Sequence, residues 1–230
     1  MKLMPPVRSL SGLIGAASIV LGLAGSRPVG HLLAAEAPQL VLNLRLTTSD
    51  ALPPASRRAL ITEAESIWTR GHVRLKWLRE STEAEPGPFL PVLVVAHPVP
   101  RASEYSPWTV AELVRFEGSK ATAIASTIGA RRIVDESRWE ILLEPSALQD
   151  RRLGVVLGRA VSHEIGHYLL QTNTHARQGL MRALIDAREF ADLRPGAFRL
   201  DDAAEAHLAA LAERGTLSTE AVTSFSYPAP

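Results

Sequence analysis

His163-Glu164-Ile165-Gly166-His167 is the stretch of this sequence that decides its fold. Residues four apart in an α-helix lie one turn apart on the same face, so His163 and His167 can both direct an imidazole at a single metal ion. Glu164 follows the first histidine and lies close enough to accept a proton from a water molecule bound to that metal. The five residues therefore predict a helix that binds a metal and can activate water.

The residues before this pentapeptide indicate that it lies on a helix. The sequence contains no proline between Leu153 and Leu170, and apolar residues recur at every fourth position. This stripe comprises Leu157, Val161, Ile165 and Leu169. Such a spacing predicts one face packed on a hydrophobic core. The two histidines lie on a different face, next to the small apolar residues Val156 and Ala160, and this surrounding is more typical of a cleft than of open solvent.

A zinc ion in such a site needs a third protein ligand, with the fourth position left for water. The nearest candidate is His175, eight residues after His167. A carboxylate from a following helix, Glu189 or Asp186, is the alternative, because a helix-borne carboxylate also completes zinc sites of this kind. We favour His175 because it is close in the sequence and is a histidine.

The return of His175 toward the metal requires the chain to turn soon after the helix. If the helix ends near Leu170, residues 172–174 can supply that turn. Asn173 is the residue in this segment best suited to a left-handed backbone conformation. The sequence therefore predicts a left-handed residue at Asn173.

With these residues in place, the segment resembles the metzincin-like zinc metallopeptidases of the zincin superfamily. In metzincins the extended motif is HExxHxxGxxH, and a methionine follows it in a tight turn beneath the zinc. Here His175 is followed by Gly179-Leu180-Met181. The resemblance implies that Gly179 supplies the turn and that Met181 packs beneath the metal.

The resemblance extends over residues 163–182 and concerns the architecture of the site. The strict motif would place glycine at position 170 and histidine at position 173, where this chain has Leu170 and Asn173. The resemblance implies a mixed α+β fold: a single zincin-like domain in which a twisted mixed sheet is accompanied by an active-site helix and a C-terminal helix. It also implies that one strand forms an exposed sheet edge above the cleft, where an extended peptide can bind.

The N-terminal segment has the profile of a secretory signal peptide. Lys2 and Arg8 precede an apolar run from about Leu10 to Ala24. This run is short for a membrane span, so we expect no stable span after cleavage, with an uncleaved anchor as the alternative. We expect a signal peptide at residues 1–35, with cleavage between 24 and 37, and a secreted or periplasmic protein, as in a bacterial cell envelope. The chain contains no cysteine, which excludes disulfides.

Removal of residues 1–35 changes the charge of the chain. That segment carries three basic residues and no acidic ones, so 25 basic side chains become 22, against 24 acidic ones, for a net charge of −2. No run of basic residues stands out in the remainder, so nucleic acid is not an expected partner. We expect one catalytic domain over residues 36–225, a monomer, and a flexible tail at 226–230.

Apolar periodicity predicts the other elements of this domain. The expected strands are 40–46, 73–77, 90–96, 121–127 and 139–143, and the expected helices are 54–70 and 201–214. The segment 110–116 is compatible with a strand paired to 121–127 or with a short helix, and the sequence does not distinguish the two.

These features together predict a zinc metalloendopeptidase that hydrolyses peptide bonds in peptide or protein substrates. Glu164 would act as the base on the water held by Zn²⁺. Three alternatives remain at this stage: a zinc hydrolase of non-peptide amides, a non-catalytic zinc-binding envelope protein, and a structural protein in which the motif has no function.

Overall fold

The computed structural model describes residues 39–49, 51–79, 87–99, 109–116, 120–137, 144–194, 196 and 198–214. All of them belong to the unit Glu36–Pro230. The predicted signal peptide (1–35), the predicted strand at 139–143 and the predicted tail (226–230) lie outside the described residues.

Five strands form one mixed sheet within the described part of the chain. They are β1 (Leu40–Thr48), β2 (Val73–Leu78), β3 (Phe89–Val95), β4 (Ala111–Arg115) and β5 (Ala121–Ser126). Their spatial order is β2-β1-β3-β5-β4, and only β4 runs antiparallel to its neighbour. The segment that the sequence left open is therefore a strand. It pairs with β5 in a hairpin whose register joins Arg115 to Ala121 and leaves β4 at the edge of the sheet.

Five helices accompany the sheet over the same described residues. They are α1 (Pro54–Arg70), α2 (Thr127–Ser137), α3 (Ser146–Leu169), α4 (Ala187–Phe190) and α5 (Asp202–Arg214). The sequence predicted α1 and α5 closely and missed α2 and α4. Helix α3 begins at Ser146, seven residues before Leu153, where the sequence first indicated a helix. The prediction started late because the charged residues in the first two turns hide the apolar periodicity.

Helix α3 lies in the core of the molecule. Every residue from Leu153 to Ser162 is buried, and the predicted stripe is among the least exposed parts of the chain. Two glycines allow α1 to approach α3 closely. A Cβ at Gly158 would lie 2.7 Å from the carbonyl oxygen of Leu60, and one at Gly154 would lie 2.6 Å from the Cβ of Ala59. This contact fixes the helix that carries both motif histidines.

The architecture is the predicted mixed α+β fold, with a mixed sheet, a long buried helix that carries the motif and a C-terminal helix. The edge strand β4 lies beside the C-terminal half of α3, where the histidines are. Among the described helices, none combines the length and apolar character needed to cross a bilayer.

Candidate metal centre

Three histidines converge at the C-terminal end of α3. His163 and His167 lie one turn apart on the helix, and His175 comes from the loop that follows it. One potential ligand nitrogen from each ring lies within 4.8 Å of the other two. The Nε2 atoms of His163 and His167 are 3.0 Å apart. The structure therefore assembles the three-histidine cluster expected from the sequence.

Backbone carbonyls fix the orientation of the first two rings. Nδ1 of His163 donates to the carbonyl oxygen of Leu180 at 2.9 Å, and Nδ1 of His167 donates to that of Thr172 at 2.8 Å. In a neutral imidazole, a proton on Nδ1 leaves a lone pair on Nε2. Both Nε2 atoms are therefore available as ligands, and each ring has the outer hydrogen bond that orients metal-binding histidines in proteins.

The environment keeps these imidazoles neutral. Burial lowers the pKa of His163 to about 4, and burial together with the neighbouring His163 lowers the pKa of His167 to about 3. Burial also lowers the pKa of His175. Because only a neutral imidazole can bind a metal, protons do not compete for these nitrogens near neutral pH.

A turn beneath the histidines is built from residues 176–182. The backbone N–H of Ala176 donates to the carbonyl oxygen of Met181 at 2.8 Å, which closes the turn. Gly179 has φ +76°, and a Cβ there would lie 2.5 Å from the carbonyl oxygen of Arg199, so the position requires glycine. Met181 is 1% exposed and packs against Gly166 of the motif. The turn thus supplies both packing and the carbonyl that orients His163.

The residue with a left-handed backbone between α3 and His175 is Gln171, with φ +48°. The prediction that Asn173 takes this conformation is wrong. Side-chain hydrogen bonds explain the difference, because Nε2 of Gln171 donates to the carbonyl oxygen of Tyr168 and Oε1 accepts from Arg115. These two contacts hold the helix end and offset the backbone strain at Gln171. Asn173 lies on the wall of the cleft.

The alternative carboxylate ligands have other partners. Glu189 forms an ion pair with Arg182. Asp186 caps α4 by accepting from the backbone N–H of Arg188 at 2.9 Å. Neither belongs to the cluster of potential ligand atoms found among the described residues, which contains His163, His167 and His175.

The histidines open into a cleft of about 470 Å³. Glu164, only 7% exposed, lines this cleft together with the three histidines. The edge strand β4 forms one wall and residues 182–185 form another. Many of the side chains that line the cleft, these walls included, are apolar, among them Val110, Leu113, Ile133, Ala160, Leu184, Ile185 and Phe190.

Comparison with known proteins yields one distant likeness. No protein-family model and no curated protein sequence matches the chain. Among solved structures, the chain is similar to the crystal structure of an archaemetzincin from Methanopyrus kandleri, with 14% sequence identity and a TM-score of 0.39. The likeness covers 79% of this chain and 98% of that one. At this distance it carries no information about the site.

The sequence did not reveal several residues that shape the site. Ile133 and Phe190 line the cleft from α2 and α4, the two helices that were missed. Arg115 reaches the backbone of His167 from a strand 52 residues earlier in the chain. An apolar pattern at Ala130, Ile133 and Val134 was available to predict α2, but no local pattern announces a long-range contact such as that of Arg115.

Proposed function

We propose that this chain is a zinc-dependent hydrolase that cleaves peptide bonds, with His163, His167 and His175 as zinc ligands and Glu164 as the general base. One observation carries the proposal. The Nε2 atoms of His163 and His167 face each other at 3.0 Å while both Nδ1 atoms donate to carbonyls. Two facing lone pairs repel unless a cation lies between them, and the lowered pKa values make a shared proton unfavourable at neutral pH.

The donor set fits zinc. Three neutral imidazoles with a fourth position open to a cleft are the ligand arrangement of a catalytic zinc site, whereas a structural site closes all four positions with protein ligands. Zinc bound there would supply a Lewis acid that lowers the pKa of water and polarises a carbonyl group. His175 is favoured over Glu189 as the third ligand because the Glu189 carboxylate pairs with Arg182.

The remaining chemistry belongs to the residues of the chain. The carboxylate of Glu164 accepts a proton from the water that attacks the substrate carbonyl carbon, and it then donates that proton to the leaving amine nitrogen as the C–N bond breaks. Its place in the lining of the cleft, beside the three histidines, favours this role.

The shape of the cleft favours an extended peptide as the substrate. Strand β4 lies at the edge of the sheet and lines the cleft with residues 111–113. A peptide can add to such an edge through backbone hydrogen bonds and bring one carbonyl to the histidines. The apolar wall formed by Ile133, Ile185 and Phe190 favours an apolar side chain next to the cleaved bond.

We further propose that the protein acts outside the cytoplasm, in the periplasm or the medium. Support comes from the sequence of residues 1–35, with its basic start and apolar run. Fractionation of cells that express the full chain, with N-terminal sequencing of the product, tests this proposal separately from the activity.

The function is tested by digestion of denatured proteins and a peptide library with purified protein, with and without a chelator. We expect cleavage that stops in the chelator and returns with zinc, and one zinc per chain by elemental analysis. Stoichiometric zinc without turnover of peptides would favour hydrolysis of another amide or a non-catalytic zinc protein. Absence of bound zinc would overturn the proposal altogether.

A further inference from the structure

Arg115 connects the wall of the cleft to the metal centre. It is the last residue of β4, and its guanidinium reaches the C-terminal end of α3. Nη2 donates to the carbonyl oxygen of His167 at 2.7 Å, and Nη1 donates to Oε1 of Gln171 at 3.1 Å. One side chain from the edge strand thus touches both a proposed zinc ligand and Gln171, the second residue after the helix end.

The acceptor at His167 is one that a helix cannot satisfy by itself. The last four carbonyl groups of an α-helix have no partner within the helix, and a cation placed there also interacts favourably with the helix dipole. Arg115 supplies such a cation. His167 is consequently held twice, by Arg115 at its carbonyl oxygen and by the carbonyl of Thr172 at its ring. Both contacts restrict the direction in which its Nε2 points.

The second contact of Arg115 bears on the third ligand. Gln171 has the left-handed backbone that turns the chain toward His175, and its Nε2 also donates to the carbonyl oxygen of Tyr168. Arg115 holds the amide oxygen of the same side chain. The guanidinium of Arg115 therefore holds both the end of α3 and the start of the loop that carries His175.

We propose that Arg115 is a positioning residue of the metal centre, which fixes His167 and the turn before His175 through its two hydrogen bonds. The inference rests on the proposed zinc site. The charge of Arg115 acts in the opposite direction, because a cation close to His167 repels a metal ion bound there. A positioning role and a purely electrostatic role thus predict opposite effects of removing the side chain.

The test compares zinc dissociation constants of purified full chains, measured by competition with a chromogenic chelator. We expect Arg115→Met to bind zinc 10- to 100-fold more weakly, the usual range for loss of a residue that orients a ligand. Arg115→Lys, which keeps the charge and can make one of the two hydrogen bonds, should lie between Arg115→Met and the unmodified protein. Arg115 is exposed, so neither variant should lose core packing.

Arg152→Met is the matched control. The Arg152 side chain is 18% exposed and also makes two hydrogen bonds, donating to the buried carboxylate of Glu144 at 2.7 Å and to the carbonyl oxygen of Ala191 at 2.9 Å. Its loss removes a cation from the buried Glu144 carboxylate, so it should lower the melting temperature of the zinc-free protein at least as much as Arg115→Met does, while zinc affinity stays unchanged.

Two results would overturn the inference, and they differ from failure of the proposed function. Unchanged or tighter zinc binding in Arg115→Met would show that Arg115 has no positioning role while the zinc site itself stands. An equal loss of affinity in Arg152→Met would reduce the effect to general destabilisation. If the unmodified protein binds no zinc, the proposed function fails and this inference fails with it.

Discussion

The thioether of Met181 occupies the space that a side chain on Gly166 would fill. A Cβ built on Gly166 would overlap the sulfur of Met181 and lie 2.9 Å from its terminal methyl group. Gly166 stands between the two motif histidines on α3, and Met181 directly follows Leu180, the residue of the turn whose carbonyl oxygen orients His163. The absence of a side chain at Gly166 thus allows the turn to pack directly beneath the histidine pair.

Gly166→Ala should therefore destabilise the protein by about 1–3 kcal/mol, the usual cost of forcing an extra methyl group into a packed core. Chelator-treated protein unfolded in urea gives this value without a contribution from zinc. The obstacle is a side chain, so Met181→Ala should relieve it. The double variant should cost less than the sum of the two single changes, and costs that add within about 0.5 kcal/mol would contradict the packing explanation.

Local periodicity explains which elements the sequence could predict. Helix α1 has its buried residues Leu60, Ala64 and Ile67 at helical spacing, and β2 alternates strictly at Val73 and Leu75, so a single pattern identifies each. Helix α4 has only four residues, too few to show a period, and its one signal is the cap at Asp186. Whether residues 110–116 form a strand depends on their pairing with β5, and the pattern of a single segment does not identify its partner.

His175→Ala should remove most of the bound zinc, since two imidazoles hold the ion far less tightly than three. Elemental analysis after gel filtration measures the zinc content per chain. Glu189→Gln is the matched variant, because it changes the rival ligand while it keeps the side-chain volume. Full zinc content in His175→Ala combined with loss in Glu189→Gln would move the third ligand to the carboxylate.

The candidate site was predictable where it depends on spacing along one helix. The four-residue interval between His163 and His167 places both rings on one face of α3, whatever the remainder of the chain does. The position of His175 depends on the turn at Gln171, and that turn is stabilised by Arg115 from a distant strand. Such a contact depends on the place of β4 in the sheet, 52 residues from His167 along the chain, so no motif in the sequence predicts it.

Glu164→Gln should abolish peptide cleavage while zinc stays bound. Glutamine has nearly the same shape as glutamate but cannot take up the proton of the attacking water, and loss of a general base costs roughly 10²- to 10⁴-fold in rate. Turnover of a fluorogenic peptide and zinc content should be measured on the same preparation. A variant that retains zinc and full turnover would exclude Glu164 as the base, whereas loss of zinc would leave the rate uninterpreted and call for Glu164→Asp as a second variant.

Gly158→Ala should destabilise the protein even though alanine is the better helix former. Alanine in a helix interior is favoured over glycine by about 1 kcal/mol, so the propensity alone predicts a gain. A Cβ at this position would, however, lie 2.7 Å from the carbonyl oxygen of Leu60 and 2.9 Å from the Cβ of Glu63, both on α1. We expect a net loss of about 1–3 kcal/mol in urea unfolding of zinc-free protein, because α1 must move away from α3.

The atom nearest to a Cβ at Gly158 is a backbone oxygen, whereas the atom nearest to a Cβ at Gly166 belongs to the side chain of Met181. The carbonyl oxygen of Leu60 and the Cβ of Glu63 both remain when Glu63 is truncated to alanine, so this truncation on α1 should not restore the stability of Gly158→Ala, whereas Met181→Ala should rescue Gly166→Ala. Ser146→Ala, at the exposed first residue of α3, is the control for substitution in the same helix and should change stability by no more than about 0.5 kcal/mol. A neutral or stabilising Gly158→Ala would mean that α1 and α3 do not pack as closely as the structure has them.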